Sequence, residues 1–263
     1  MQIAIVADAA AVAEYAAERI AGVIRARAES AAPAVLGVAT GSSPLGTYAV
    51  LAARVRAGQL DVTGVSAFAL DEYVGLDPAH PESYRSVIRR TVTEPLGLDP
   101  ERVHVPDGAA ADLEAACARY ERLIREAGGV DLQLLGVGAN GHIGFNEPTS
   151  SFASRTRVKT LAPQTRADNA RFFDAPDSVP VHCVTQGLGT ILEARQLLLV
   201  AQGEGKAEAV AQMIEGPLAS VCPASALQLH PDAVVVIDQA AASQLRFSDY
   251  YEYVQDQLPE GSA

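Results

Sequence analysis

Lysine is almost absent from this chain. Of 20 basic residues only Lys159 and Lys206 are lysines, which leaves eighteen arginines. A sequence that uses arginine for most cationic positions keeps lysine where a compact ammonium is required, although a biased base composition gives the same excess. Cysteine is scarce too. Cys117, Cys183 and Cys222 are widely spaced, with no CxxC pair and no metal-finger arrangement. That excludes a disulfide framework and a zinc finger, and it reads as buried free thiols in a reducing cytoplasm. No apolar run approaches the roughly 20 residues of a membrane span. The N-terminal Met-Gln-Ile-Ala-Ile-Val-Ala-Asp lacks the basic region of a signal peptide and reads as a first strand. A net charge of −12 disfavours nucleic acid and anionic membranes as partners. A small anionic ligand stays open wherever cations gather locally.

What is present is an alternation. With 263 residues the chain has room for one large α/β domain or two small ones. Strand-like runs at 2–6, 34–39, 65–70, 132–135, 196–201 and 233–237 alternate with helical patterns near 9–27, 44–57, 81–91, 109–126, 204–214 and 249–257. Such a pattern predicts an α/β fold: an open, mostly parallel sheet covered by helices on both faces. Region 140–190 is irregular and reads as a lid or hairpin set on the main sheet.

Ligands of open α/β sheets gather beyond the carboxyl ends of the strands, so the segments following each apolar run come next. In Asp131–Pro148, DLQLLGVGANGHIGFNEP, a glycine-rich turn is followed by Asn140, His142 and Glu147. The spacing Gly136-x-Gly138-x-x-Gly141 imitates a dinucleotide fingerprint, but Gly144 and Pro148 argue against the long helix that motif requires. Asn140-Gly141 reads instead as a turn, both residue types tolerating positive φ. A plain surface turn with a structural histidine is the competing reading.

Thr40-Gly41-Ser42-Ser43 lies between a strand and Pro44, with Ser43 as N-cap and Pro44 as first helical residue. Free N–H groups and hydroxyls at a helix start suit a phosphate; an ordinary capped helix is the alternative. Lys206 follows Gly203-Glu204-Gly205 near another helix start, where a cation opposes the helix dipole and calls for an anion. A ligand phosphate would serve, as would Glu204 or Glu208. Asp71 and Glu72 follow the third strand, where a tuned carboxylate moves a proton on carbon or merely caps a helix. His80 belongs to a helix start and carries no chemistry. Arg155, Arg157 and Lys159 alternate at strand period and share one face, either a solvated edge or a second anion site. Arg166 and Arg171 lie in a helical pattern at 165–173, from which either reaches a substrate if the segment folds over.

Taken in order, TGSSP, LDEYVGL, HPESY, GVGANGHIGFNEP, SRTRVKTL and LQLHP resemble the glucosamine-6-phosphate deaminase family from about Gln2 to Ile237. The resemblance implies a modified Rossmann-like three-layer α/β/α sandwich, one domain over 1–263, with a lid around 160–182. It implies conversion of glucosamine 6-phosphate and water to fructose 6-phosphate and ammonia in amino sugar catabolism, without cofactor or metal. Position by position, Asp71 is the base that moves a proton from sugar carbon 2 to carbon 1. His142 assists ring opening with Glu147 orienting it. Thr40, Gly41, Ser42, Ser43, Lys206 and the lid's Arg171 hold the 6-phosphate.

Asn140 departs from the best-studied branch, which has aspartate there. An amide does not titrate, so ring opening falls to His142 with Glu147, and the pH profile is expected to shift. Ser150, Arg157, Lys159 and Thr160 match the site at which the allosteric branch binds N-acetylglucosamine 6-phosphate between subunits of a hexamer. The tyrosines of Arg246–Asp256 are arranged differently from that branch. The resemblance thus implies a cytoplasmic homo-oligomer, up to a hexamer. A 6-phosphogluconolactonase-like hydrolase shares the general fold but is not expected to carry LDEYVGL or FNEP. A non-catalytic sugar-phosphate sensor is the other alternative.

Overall fold

A computed structural model describes residues 1–173, 175 and 178–257. In chain order the strands are β1 (Gln2–Val6), β2 (Val35–Val38), β3 (Ser66–Ala69), β4 (Asp71–Tyr73) and β5 (Val103–His104), then β6 (Leu132–Leu135), β7 (Arg157–Thr160), β8 (His182–Thr185), β9 (Gln196–Ala201) and β10 (Ala233–Asp238). Seven of them form one sheet in the order β1-β10-β9-β6-β2-β3-β5, every pairing parallel. Strands buried on both faces read as unbroken apolar runs, and alternate residues here feed two cores. Val35, Leu135, Leu199, Val235 and Ile237 face one layer. Leu36, Leu134, Leu198, Val200 and Val236 face the other.

From β2 the chain winds outward through β3 and β5; from β6 it winds the opposite way through β9 and β10. The adjacent strands β6 and β2 therefore mark the reversal of winding, where loops part and leave a crevice at the carboxyl edge.

Where the alternation fails, the reason is local. The third apolar run does not end as one strand. The chain leaves the main sheet at Leu70, and Asp71 starts β4, which joins β8 and β7 in a separate antiparallel sheet. Strands this short fall below what periodicity detects. Region 140–190 thus holds two strands and the helix Pro163–Asn169, continued by a 3-10 turn over Ala170–Phe172. The expected helix over 81–91 divides into an α-helical turn Tyr84–Ile88 and a wider turn Arg89–Thr93. The lid expected around 160–182 spans the connection from β7 to β8; its residues 174, 176 and 177 lie outside the described ones.

Candidate active site

Four neighbouring strands deliver the functional groups. Beyond β2 the Tyr48 phenol accepts from the Ala39 N–H at 3.0 Å and donates to the Ala39 carbonyl at 2.9 Å. That clamp fixes the strand end and leaves Thr40–Ser43 as a short loop, with Gly41 at φ 93°. The helix begins at Leu45 with Pro44 in the cap position, and no side chain caps it. Ser43 is therefore not the N-cap, contrary to expectation; both it and Ser42 line the cavity instead.

Beyond β9, Gly203 takes a positive φ and its N–H meets Asp238 Oδ1 at 3.0 Å. This sets Lys206 at the start of the helix Ala207–Glu215. Among the described residues no carboxylate lies within 4.0 Å of the Lys206 ammonium, so neither Glu204 nor Glu208 pairs with it.

Beyond β3 the two carboxylates part company, because successive strand residues point oppositely. Glu72 turns away from the cavity and accepts the backbone N–H groups of Tyr73, Tyr84 and Arg85 at 2.8, 2.9 and 2.9 Å. It anchors a helix start. Asp71 lines the cavity with Ser42, His142 and Lys206. Burial, reinforced by the Glu72 charge and opposed by the Phe145 N–H, pushes the Asp71 carboxyl up to about 8. Tyr84 also lines the cavity. Burial holds its phenol well above the usual tyrosine range, so at neutral pH it donates hydrogen bonds.

Beyond β6, Gly141 sits at φ 78°, whereas Asn140 keeps an ordinary negative φ; only the glycine needed its freedom. The imidazole rests on Gly138. A Cβ added there would collide with the His142 ring. Asn140 bridges the histidine and the glutamate. Its Nδ2 donates to Glu147 Oε2 at 2.8 Å, and its Oδ1 lies 2.6 Å from His142 Nδ1. Since a carboxylate only accepts, the amide nitrogen must face Glu147 and the amide oxygen must face the ring. Nδ1 then carries the proton and Nε2 is the basic nitrogen. Glu147 is 3.8 Å from the ring, so it orients the imidazole through the amide; its Oε1 accepts the Ala162 N–H at 3.0 Å. Burial lowers the His142 pKa, with Glu147 opposing and Lys206 reinforcing the shift. The ring is neutral at neutral pH.

The wall opposite these loops comes from the 160–182 segment: Thr165, Asp168, Asn169, Arg171 and Phe172 all line the cavity. Arg166 does not reach it, since Nε and Nη2 donate to the Val179 carbonyl at 3.1 and 2.8 Å. His80 is also elsewhere, accepting the Glu82 N–H on Nδ1 and stacking on Phe173. Tyr84 and Asp168 were missed. The first was concealed within a helix start, the second carried no motif.

The other candidate anion residues lie outside this cavity. Arg155 precedes β7 and is held by Glu121 and Glu193, so three cations do not share one strand face. Arg157 donates to Asn146 Oδ1 at 2.9 Å, and the buried Ser150 hydroxyl donates to the Glu147 carbonyl at 2.7 Å. Thr160 is exposed, with its hydroxyl 3.3 Å from His182 Nδ1. Along β7, Arg157 and Lys159 point one way, Val158 and Thr160 the other. The three cysteines are free and buried, as expected.

Comparison with known proteins agrees with this arrangement. Residues 7–236 match the family model described as glucosamine-6-phosphate isomerases/6-phosphogluconolactonase. A glucosamine-6-phosphate deaminase of Streptomyces coelicolor is 58% identical over 261 residues, 99% of this chain and 98% of that one. One of Cutibacterium acnes is 58% identical over 258 residues, 98% of this chain and 97% of that one. Among solved structures, a monomeric glucosamine-6-phosphate deaminase superposes with TM-score 0.89 at 43% identity, covering 93% of this chain and all of the other. The 6-phosphogluconolactonase of Trypanosoma cruzi superposes with TM-score 0.75 at 20% identity, over 93% and 97%, and shares the fold alone. With loops, sheet order and full-length identity all in agreement, this chain belongs to the glucosamine-6-phosphate isomerase/6-phosphogluconolactonase family.

Proposed function

We propose that the protein is a glucosamine-6-phosphate deaminase, releasing ammonia and fructose 6-phosphate from glucosamine 6-phosphate and water. The observation that carries this reading is one cavity holding a buried, proton-accepting carboxylate, Asp71, together with the Lys206 ammonium, which pairs with no carboxylate among the described residues, and the Thr40–Ser43 loop. A phosphate anchored by Thr40–Ser43, Lys206 and Arg171 orients the sugar carbons, and fixed orientation is worth several kcal/mol, about 7–11 in ideal cases. The neutral His142 takes the carbon-1 hydroxyl proton at Nε2, Asn140 and Glu147 stabilise the cation that results, and the proton passes to the ring oxygen as its bond to carbon 1 breaks. Asp71 then takes the proton from carbon 2 and delivers it to carbon 1 while a proton passes from the amino nitrogen to the carbon-1 oxygen, leaving an imine at carbon 2. Water adds to the imine and ammonia departs. The lid segment closes Arg171 onto the phosphate.

The reading is tested by measuring ammonia released from glucosamine 6-phosphate beside hydrolysis of 6-phosphogluconolactone. Lactone hydrolysis without ammonia release would overturn it.

Asn140→Asp is expected to steepen the acid limb of the pH profile, which Asp71 sets in the parent, by bringing the His142 titration up toward it. A second carboxylate beside Glu147 and the ring stabilises the imidazolium, so His142 stays protonated to higher pH. An unchanged pH dependence of kcat would show that the amide bridge does not set the histidine's charge.

Activation by N-acetylglucosamine 6-phosphate at Ser150, Arg157, Lys159 and Thr160 belongs to the same proposal, with a homo-oligomer whose neighbouring chain completes the site. Mass measurement in solution decides the assembly. Substrate saturation is expected to be sigmoidal, to become hyperbolic when the acetylated sugar phosphate is added, and to stop responding in Lys159→Ala. Curves that ignore the effector in the parent protein reject the allosteric assignment.

A further inference from the structure

Among the described residues, deamination as proposed leaves one cavity carboxylate without a task. Asp168 lies on the helix Pro163–Asn169, in the lid segment, and faces the same space as Lys206, His142 and the Thr40–Ser43 loop. Its side chain is held from one turn back, Gln164 Nε2 donating to Oδ1 at 2.7 Å. Three residues further on, Arg171 lines the same cavity, with its guanidinium carbon 4.7 Å from the centre of the Phe172 ring. A single short segment therefore presents both signs of charge to the place where the Thr40–Ser43 loop and Lys206 would hold a phosphate. The carboxylate acts on what lies opposite. Burial lowers the Lys206 pKa, Asp168 opposes that shift and Arg171 adds to it. His142 feels Asp168 after burial, Glu147 and Lys206.

A carboxylate in this position is the wrong sign for a phosphate receptor and the right sign for an empty one. We propose that Asp168 is an internal counter-ion of the phosphate subsite, partly neutralising Lys206 and Arg171 in the empty cavity and competing with the incoming phosphate. The proposal rests on the phosphate reading of that subsite and sets its affinity. With Asp168 in place the lid's grip is weaker than Arg171 alone would give, which favours release of the phosphorylated product. Asp168 touches no reacting carbon in this scheme; it acts through the cations.

The test is calorimetric binding of inorganic phosphate to the full chain. Two unit charges about 4 Å apart in water interact by about 1 kcal/mol, a factor of about five, and Asp168 stands farther than that from both cations. Asp168→Asn is expected to bind phosphate more tightly by up to about fivefold, and KM for glucosamine 6-phosphate to fall in step while kcat does not rise. Asp168→Glu keeps the charge and should stay near the parent affinity. Gln164→Ala removes the hydrogen bond without the charge and should change affinity less than about twofold. The gain in Asp168→Asn should shrink between 0.1 and 1 M salt, as the screening length falls from about 10 to about 3 Å. Unchanged or weaker phosphate binding in Asp168→Asn overturns the proposal, as does an equal gain in Asp168→Glu, or a parent and variant that both fail to bind phosphate. Ammonia release by the parent is scored separately. A parent that releases none, beside a tightened Asp168→Asn, rejects the deaminase reading and leaves Asp168 its role. An active parent with an unaltered Asp168→Asn rejects only the latter.

Discussion

Asp71→Asn is expected to lower ammonia release by about 10²–10⁴-fold, the usual contribution of a positioned general base, while phosphate or sugar phosphate still raises the melting temperature. The amide fills the same space but takes up no proton, so binding at Thr40–Ser43 and Lys206 survives the loss of chemistry. In the parent, kcat/KM should rise with pH and level off above about 8, because Asp71 is pushed up to about 8 by burial and the Glu72 charge and works only when ionised. Stability moves the other way. The folded-state value lies above the roughly 3.9 of an unfolded aspartate. Asp71 therefore favours the fold fully below about pH 4, and that contribution is lost as pH rises through about 8. Asp71→Asn should accordingly gain more melting temperature over the parent at pH 9 than at pH 5. Near-normal turnover in the variant would remove Asp71 from the role of base.

Gly138→Ala is expected to cost about 10²-fold in kcat, although the substitution adds one methyl group. Gly138 is not among the glycines with positive φ, so alanine meets no backbone strain there. Its Cβ meets the His142 ring directly. The ring must swing, which breaks the 2.6 Å contact of Nδ1 with Asn140. Misplacing a catalytic group by about 1 Å is enough for a loss of that size. Since the backbone bond from the Gly138 N–H to the His142 carbonyl is untouched, the fold and phosphate binding should persist. A kcat within about threefold of the parent would show that ring placement over Gly138 is not needed for turnover.

The sequence carried the main sheet well because strands buried on both faces leave continuous apolar runs. Leu132–Leu135 and Gln196–Ala201 appear with the bounds that their composition predicts. It carried the Thr40–Ser43 loop and Lys206, which line one cavity, because glycine-bearing turns between a strand and a helix are local features. It did not carry β4 and β8. Asp71–Tyr73 forms a strand only because His182–Thr185, more than a hundred residues later, offers it partners. Ser43 looked like a helix cap because capping is also judged locally; the structure gives it to the cavity instead.

What sequence alone determined is therefore the set of chemical groups and the edge of the sheet from which each projects, since hydrophobic period and turn composition are properties of neighbouring residues. Tertiary structure decided the rest. The order β9-β6-β2-β3 brought Lys206, His142, Thr40–Ser43 and Asp71 around one space. Strand pleat sent Glu72 away from it, the amide of Asn140 chose a tautomer for His142, and the packing of the segment after β7 put Asp168 into the cavity that Lys206 lines. Each of these depends on which distant strands pair and which side chains then collide, and no window of adjacent residues holds that information.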